Sequence, residues 1–281
     1  GKGSWSKFTV YRGVSNTGSV ALQKSSADAS ISDRNVNYSL SGAVYGLYAS
    51  ESHARDNVDP GVRLVTDESG KAQADDIKRG TYYLKETVPS PGFALDETIY
   101  RVDVPSGEVA VINAAEPPQW NPVELWLAKR DAETNRTTAQ GDATLAQARF
   151  ELAFYGGQYS SRSEADAAAS NGVTKRVWIM QTDEQGKVSF SKMGSSFDTH
   201  DANGTKTGSH PYFLSGDELF TQNDKACLPL GTLFIRETAA PSGYLLDDQP
   251  ERILHITTEG ASPEIESFDA PTFDEKVLRG G

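Results

Sequence analysis

Two sets of residues in this chain have the types and order needed to form an amide. Lys24, Glu86 and Asn113 make the first set, and Lys129, Glu237 and Asp269 the second. Successive strand residues point to opposite faces. On that count Val20, Leu22 and Lys24 share a face, as do Leu125, Leu127 and Lys129. Tyr82, Leu84 and Glu86 share one, as do Leu233, Ile235 and Glu237. Val109, Val111 and Asn113, and Ile265, Ser267 and Asp269, complete the pattern. Each half is therefore expected to turn a lysine, a glutamate and an Asn or Asp toward its core. Burial lowers a lysine pKa and raises a carboxyl pKa. A neutral amine is a nucleophile, and an ammonium is not. A protonated glutamate can donate to the acceptor's side-chain carbonyl and relay the proton shed by the amine. Groups held in contact in a dry core also gain the effective molarity of an intramolecular reaction. The product is a Lys Nζ amide, with ammonia leaving from Asn or water from Asp. The plainer alternative is a buried Lys–Glu or Lys–Asp ion pair, or a lysine that snorkels to the surface. Three shared landmarks in two repeats favour the covalent reading.

The elements that must carry these residues repeat as well. An opening strand ends in lysine at Gly18-Ser19-Val20-Ala21-Leu22-Gln23-Lys24 and again at Val123-Glu124-Leu125-Trp126-Leu127-Ala128-Lys129. A second strand contains Ala43-Val44-Tyr45-Gly46-Leu47-Tyr48 and then Ala148-Arg149-Phe150-Glu151-Leu152-Ala153-Phe154-Tyr155. Thr66-Asp67-Glu68-Ser69-Gly70-Lys71 and Thr182-Asp183-Glu184-Gln185-Gly186-Lys187 read as matching turns with glycine at a left-handed position. Glutamate segments follow at Tyr82-Tyr83-Leu84-Lys85-Glu86-Thr87-Val88-Pro89-Ser90-Pro91-Gly92-Phe93 and Leu233-Phe234-Ile235-Arg236-Glu237-Thr238-Ala239-Ala240-Pro241-Ser242-Gly243-Tyr244. Further strands are expected over 62–66, 98–104, 108–113, 175–181, 252–257 and 264–269. Many short strands split by turn clusters predict an all-β protein of two tandem β-sandwiches.

The expected organisation is a linker or remnant of a preceding repeat over 1–17, a first sandwich over 18–116 and a proline-rich linker over 117–122. A second sandwich spans 123–273, and 274–281 leads to a following repeat. Two insertions lengthen the second sandwich: residues 160–172, with a short helix over Glu164–Ala169, and residues 194–209, polar, Gly-rich and expected as a loop. Tyr11-Arg12-Gly13 and Leu278-Arg279-Gly280-Gly281 read as linkers of a tandem array.

Length and charge bound the function. The 281 residues fit two domains. A net charge of −12 argues against nucleic acid and anionic lipid as partners and serves solubility. The single cysteine, Cys227, precludes an intrachain disulfide and is expected to be a small buried apolar residue. No stretch reads as a membrane span or a signal peptide. The four histidines lack metal-ligand spacing, and Asp198–Gly204 lacks the regularity of a calcium loop, so no metal or cofactor is expected. Leu228-Pro229-Leu230-Gly231-Thr232 has the wrong residue order for a sorting signal and reads as a turn and strand start. Tyr155, Tyr159, Trp178 and Tyr212 either fill the second core or present a surface for host glycan or matrix protein. A carboxylate-pair hydrolase is disfavoured, because the carboxylates lie on core faces.

Both repeats resemble the Cna B-type (SpaA-like, prealbumin-like) domains of Gram-positive surface adhesins and pilins. Glu86 and Glu237 lie in segments similar to that family's glutamate box, Tyr-x-Leu-x-Glu-Thr-x-x-Pro-x-Gly-Tyr, and Lys129-Arg130-Asp131-Ala132-Glu133-Thr134 resembles its lysine strand. The resemblance implies β-sandwich modules of an extracellular stalk that are not enzymes beyond a single self-catalysed isopeptide bond. It makes Glu86 and Glu237 the catalytic partners, and Lys24–Asn113 and Lys129–Asp269 the cross-links. It also implies a monomer whose neighbours are repeats of the same polypeptide. Asp269 precedes Ala270-Pro271 as the family's acceptor does, with Asp where Asn is commoner. In the first repeat Asn113 is chosen by its face. Counted from Pro117, Ala115 takes the acceptor's place, and that repeat then has no bond.

Overall fold

The computed structural model describes residues 16–122, 127–136, 139, 143–246, 248–265 and 272–277. The chain divides into two compact units. One takes the chain up to Ser25 with Leu40–Ser90 and Leu95–Glu116; the other takes Ser26–Ser39, Pro91–Ala94 and the chain from Pro117 onward.

The first unit is a sandwich of seven strands. They are β1 (Thr17–Ser26), β2 (Val44–Tyr48), β3 (Val62–Val65), β4 (Lys71–Lys78), β5 (Gly80–Val88), β6 (Ile99–Val104) and β7 (Val109–Glu116). One sheet has the order β4-β1-β7 and the other β3-β2-β5-β6. The first and last strands are neighbours and run in the same direction: the Ser19 N–H donates to Glu108 O at 2.9 Å, and the Ser25 hydroxyl to Ala114 O at 3.5 Å. Val20 and Leu22 of β1 pack with Tyr45 and Leu47 of β2, Leu84 of β5, Val102 and Val104 of β6 and Ala114 of β7. The β1 burial alternates without a break from Val20 to Lys24, as an amphipathic strand with one face on a core requires.

The second unit repeats this plan with additions. Its strands are β8 (Trp120–Asn121), β9 (Leu127–Asp131), β10 (Arg149–Tyr155), β11 (Lys175–Gln181), β12 (Lys187–Val188), β13 (Ser196–His200), β14 (Lys206–Pro211), β15 (Phe213–Gly216), β16 (Phe220–Gln222), β17 (Lys225–Pro229), β18 (Gly231–Ala239), β19 (Tyr244–Leu245), β20 (Glu251–Ile256) and β21 (Thr272–Val277). The orders β15-β11-β10-β18-β20 and β12-β9-β21-β19 form its two main sheets. Here too the opening strand lies beside the last, with β9 and β21 parallel and Lys129 opposite Phe273. The strand β21 runs over residues that the sequence reading divides between the end of the domain and a linker. Phe150, Leu152 and Phe154 of β10 pack with Trp178 and Met180, Leu233 and Ile235, Val188 and Phe273.

The two insertions differ in outcome. The expected short helix is present as Arg162–Ser170, capped by Ser161, whose hydroxyl accepts the Glu164 N–H, while Glu164 reaches back to the Ser160 N–H. The expected loop over 194–209 is instead the hairpin β13–β14. Its turn is held by the Asp201 carboxylate, which accepts the N–H groups of Asn203 and Thr205, with Gly204 at φ +78°. The polar composition marks the turn and hides the flanking strands, because a two-stranded ribbon with little core contact needs few apolar residues. Cys227 is buried, as expected.

Candidate functional site

Each core contains a lysine with no exposed side-chain surface. Lys24 ends the apolar row of β1 and Lys129 lies in β9, both 0% exposed. One turn places both. The Lys24 N–H donates to Gly70 O at 2.7 Å and the Lys129 N–H to Gly186 O at 2.9 Å. These glycines close the two matching Thr-Asp-Glu-x-Gly-Lys turns, at φ +74° and +68°. Asp67 accepts the N–H groups of Ser69 and Lys71, and Asp183 those of Gln185 and Lys187. The threonine hydroxyls tie each turn to the segment leading into β2 or β10, with Thr66 donating to Leu40 O and Thr182 to Leu145 O. A Cβ on Gly70 would lie 2.5 Å from Lys24 O, whereas one on Gly107, at φ +73°, meets nothing within 4 Å. Gly70→Ala should therefore lower domain stability in urea by about 1–3 kcal/mol, and by more than Gly107→Ala, which carries the backbone strain without the clash. Equal losses would mean that the turn does not position the lysine.

The glutamates lie where the sequence places them. Glu86 and Glu237 are each 1% exposed. Glu86 stands opposite Tyr45 across β2–β5, and Glu237 opposite Phe150 across β10–β18. The Lys24 ammonium donates to Glu86 Oε1 at 3.4 Å, and the Lys129 ammonium is hydrogen-bonded to Glu237 Oε1. Lys129 Nζ also lies 5.4 Å from the Phe150 ring centroid. The other Glu86 oxygen accepts the Asp96 N–H at 2.8 Å. Burial first, and the neighbouring Glu116 carboxylate, push Glu86 up to about 8, against the opposing pull of the Asp96 N–H and Lys24. Near neutral pH it is therefore largely a carboxylic acid, the form that can donate a proton.

The residue expected as acceptor in the first domain does not face the core. Asn113 is exposed, and Val109 and Val111 beside it are 49% and 61% exposed. The inward row is Ala110, Ile112, Ala114 and Glu116, one residue out of step with the expected face. Glu116 is fully buried, its Oε2 hydrogen-bonded to Lys24 Nζ and its Oε1 accepting the Tyr45 hydroxyl. The β-branched valines mislead here because this strand turns them outward. Following the alternation to the last residue of β7 gives Glu116. In the second domain Asp269 lies outside the described residues, whereas Phe273, which follows it, is buried and packs edge-on against Phe150 at 4.9 Å. Tyr244, the aromatic closing that glutamate segment, donates to the buried Asp131 at 3.0 Å, two residues beyond Lys129.

The remaining aromatics fill the second domain. Trp178 and Tyr155 are fully buried and Tyr212 is 5% exposed. Among the described residues no group of three or more His, Cys, Asp or Glu could hold a metal.

The Glu86 value fixes a sign for pH dependence. Its folded value of about 8 exceeds the ordinary 4.5, so the folded state holds a proton that the unfolded state releases. The stabilisation is complete below about pH 4.5 and is lost as pH rises through about 8. Lys24→Met removes the amine and leaves Glu86 raised. The urea midpoint of that variant should fall from about pH 5 to about pH 9, relative to Lys24→Met/Glu86→Gln, which lacks the titrating group. A rising midpoint would contradict the assignment.

Two stacked-sheet domains, each with a buried lysine on its opening strand, define an all-β, prealbumin-like architecture. Residues 18–116 match the family model of the SpaA prealbumin-like fold domain. The Bacillus anthracis TIE protein is similar in fold over 94% of this chain, at TM-score 0.53 and 19% identity. The chain spans 34% of that protein's length. GBS52, the minor pilin of Streptococcus agalactiae, aligns over 94% of this chain and 97% of its own, at 16% identity and TM-score 0.27. The shaft pilin SpaA of Lactobacillus rhamnosus GG aligns over 94% and 100%, at 15% identity and TM-score 0.29. No curated protein is detectably similar in sequence.

Proposed function

We propose that this chain is a load-bearing segment of the stalk of a Gram-positive cell-surface adhesin or pilin-like protein, stabilised by an intramolecular isopeptide bond in each domain. The reading rests on one observation above others: a fully buried lysine on the first strand meets a buried glutamate at the same place in both domains. A lone buried ion pair is weak support for stability, since desolvation offsets most of its attraction. The same pair is well suited to chemistry in the first domain, because burial holds Glu86 as an acid that can relay protons. In the second domain the reading joins Lys129 to Asp269 with loss of water, and Glu237 moves the protons. The tie links β9 to the segment leading into β21, the strand beside it.

The mechanical consequence follows from that topology. Force entering through the first strand of a domain leaves through the last without unzipping the sheets between them. The same tie would limit the unfolded chain as a disulfide over a loop of about a hundred residues does, by about 4–5 kcal/mol on the chain-entropy model, and reductants cannot break it. The proposed setting is the outside of the cell, with adjacent repeats of the same polypeptide as mechanical neighbours.

Single-molecule stretching of the chain between its termini tests the reading. The second domain is expected not to extend at forces that unfold ordinary β-sandwiches, and Glu237→Ala should restore the full extension of the residues between the two strands. Full extension of the unaltered second domain would refute the stalk reading.

A further inference from the structure

In the first domain the group against the lysine is a carboxylate that the sequence reading passes over. Resting on the isopeptide reading above, the geometry points to Glu116 as the acceptor there: a Lys24 Nζ–Glu116 Cδ amide, with Glu86 relaying protons and Tyr45 donating to the acceptor's carbonyl oxygen.

Four observations converge. Glu116 is fully buried at the end of β7, in the same sheet as β1, and its Oε2 is hydrogen-bonded to Lys24 Nζ. Glu86 Oε1 lies 3.4 Å from the same nitrogen. The Tyr45 hydroxyl is aimed at Glu116 Oε1, the oxygen that becomes negative when an amine attacks Cδ. Burial and the adjacent Glu116 carboxylate raise the Tyr45 phenol far above its ordinary value, so it stays a donor. The two domains also differ at this one place. Tyr45 and Phe150 occupy equivalent positions opposite their glutamates, and only the first supplies a hydroxyl. The domain with the tyrosine is the one whose last strand ends in Glu116.

The step balances without a co-reactant. Two buried carboxyls around one ammonium carry one proton between them if charge is to cancel, and Glu86, raised to about 8, holds it. Transfer of a proton from Lys24 to Glu116 gives an amine and an acid. The Nζ lone pair forms a bond to Cδ, and the carbonyl electrons move onto Oε1, held by the Tyr45 hydroxyl. Glu86 gives its proton to the departing Oε2 and takes one from Nζ. The Cδ–Oε2 bond breaks, water leaves, and Glu86 ends protonated as it began. Nothing is oxidised or reduced.

Peptide mapping of the full chain, digested under denaturing conditions and read by tandem mass spectrometry, tests the assignment. The expected product is a branched peptide joining Lys24 to Glu116 and lacking one water. Glu116→Gln should give the same link with loss of ammonia in place of water. Tyr45→Phe, which places in this domain the residue its partner domain already carries, should slow the link in freshly synthesised chain by roughly a hundredfold. Lys24 recovered as an unmodified amine, or joined to Asn113, overturns the inference, and an unchanged rate in Tyr45→Phe removes the role given to Tyr45. Should Glu116→Gln fail to fold, the unaltered chain still decides the matter. If Lys24 alone is unmodified while Lys129 is cross-linked, only this inference falls. If both are unmodified, the function proposed above falls with it.

Discussion

Glu237→Ala should cost the second domain more than any other single change near its lysine. The substitution leaves Lys129, 0% exposed, without the carboxylate that it contacts. Removing a carboxylate from beside a buried ammonium costs about 3–5 kcal/mol. Losing the proton relay also stops the amide from forming, which removes a further constraint of about 4–5 kcal/mol on the unfolded chain. Together these approach the whole net stability of an ordinary domain, about 5–15 kcal/mol. The expected result in urea is a second domain that unfolds at far lower denaturant, with the first domain's transition unmoved. Glu237→Gln separates the two contributions: it keeps a polar partner for Lys129 but cannot relay a proton. It should lose the cross-link while keeping more of the stability. A Glu237→Ala protein with an unaltered urea transition would mean that Glu237 has neither role.

Trp178→Ala is the second large effect, and it decides what the aromatics of the longer domain are for. Trp178 is fully buried, packs edge-on against Phe190 at 5.2 Å and Phe220 at 6.4 Å, and donates its indole N–H to Asp217 O at 2.9 Å. Deleting a buried tryptophan side chain typically costs about 3–5 kcal/mol, because the cavity it leaves closes only in part. Thermal unfolding followed by circular dichroism should show that loss in the second domain. Tyr212 belongs to the same interior and Tyr155 to a smaller buried cluster with Phe234 and Ala165, with hydroxyls bonded to Asp183 and Asp166. A surface that recognises glycan or matrix protein through these rings would need them outside. An unchanged melting transition in Trp178→Ala would return them to that role.

Much of this was legible in the sequence, and the misses have physical reasons. Lys24, Lys129, Glu86 and Glu237 were legible because each ends or continues an apolar row of period two, and a charge on such a row can only face a core. The two Thr-Asp-Glu-x-Gly-Lys turns were legible as turns. Their further work, presenting a glycine carbonyl to the lysine N–H, was not, since that hydrogen bond joins segments far apart in sequence. Asn113 was misplaced because β7 carries apolar residues on both faces, and a one-residue slip turns every side chain over. Its outer valines outrank Ala110 and Ala114 in hydrophobicity, so composition pointed to the wrong face. Glu116 lies three residues past Asn113, where the sequence reading ends the strand. Tyr45 is a core residue whose hydroxyl matters only because the out-of-step strand delivers a carboxylate to it. The β13–β14 hairpin was missed for a different reason, since its strands pair mainly with each other and Phe197 alone of β13 joins the core.

The central claim, that each domain's buried lysine has become an amide, is tested most directly by the intact mass of the full chain under denaturing conditions. The account predicts a mass below that calculated from the sequence by one water for Lys24 and Glu116 and one water for Lys129 and Asp269. A mass equal to the calculated value would contradict it.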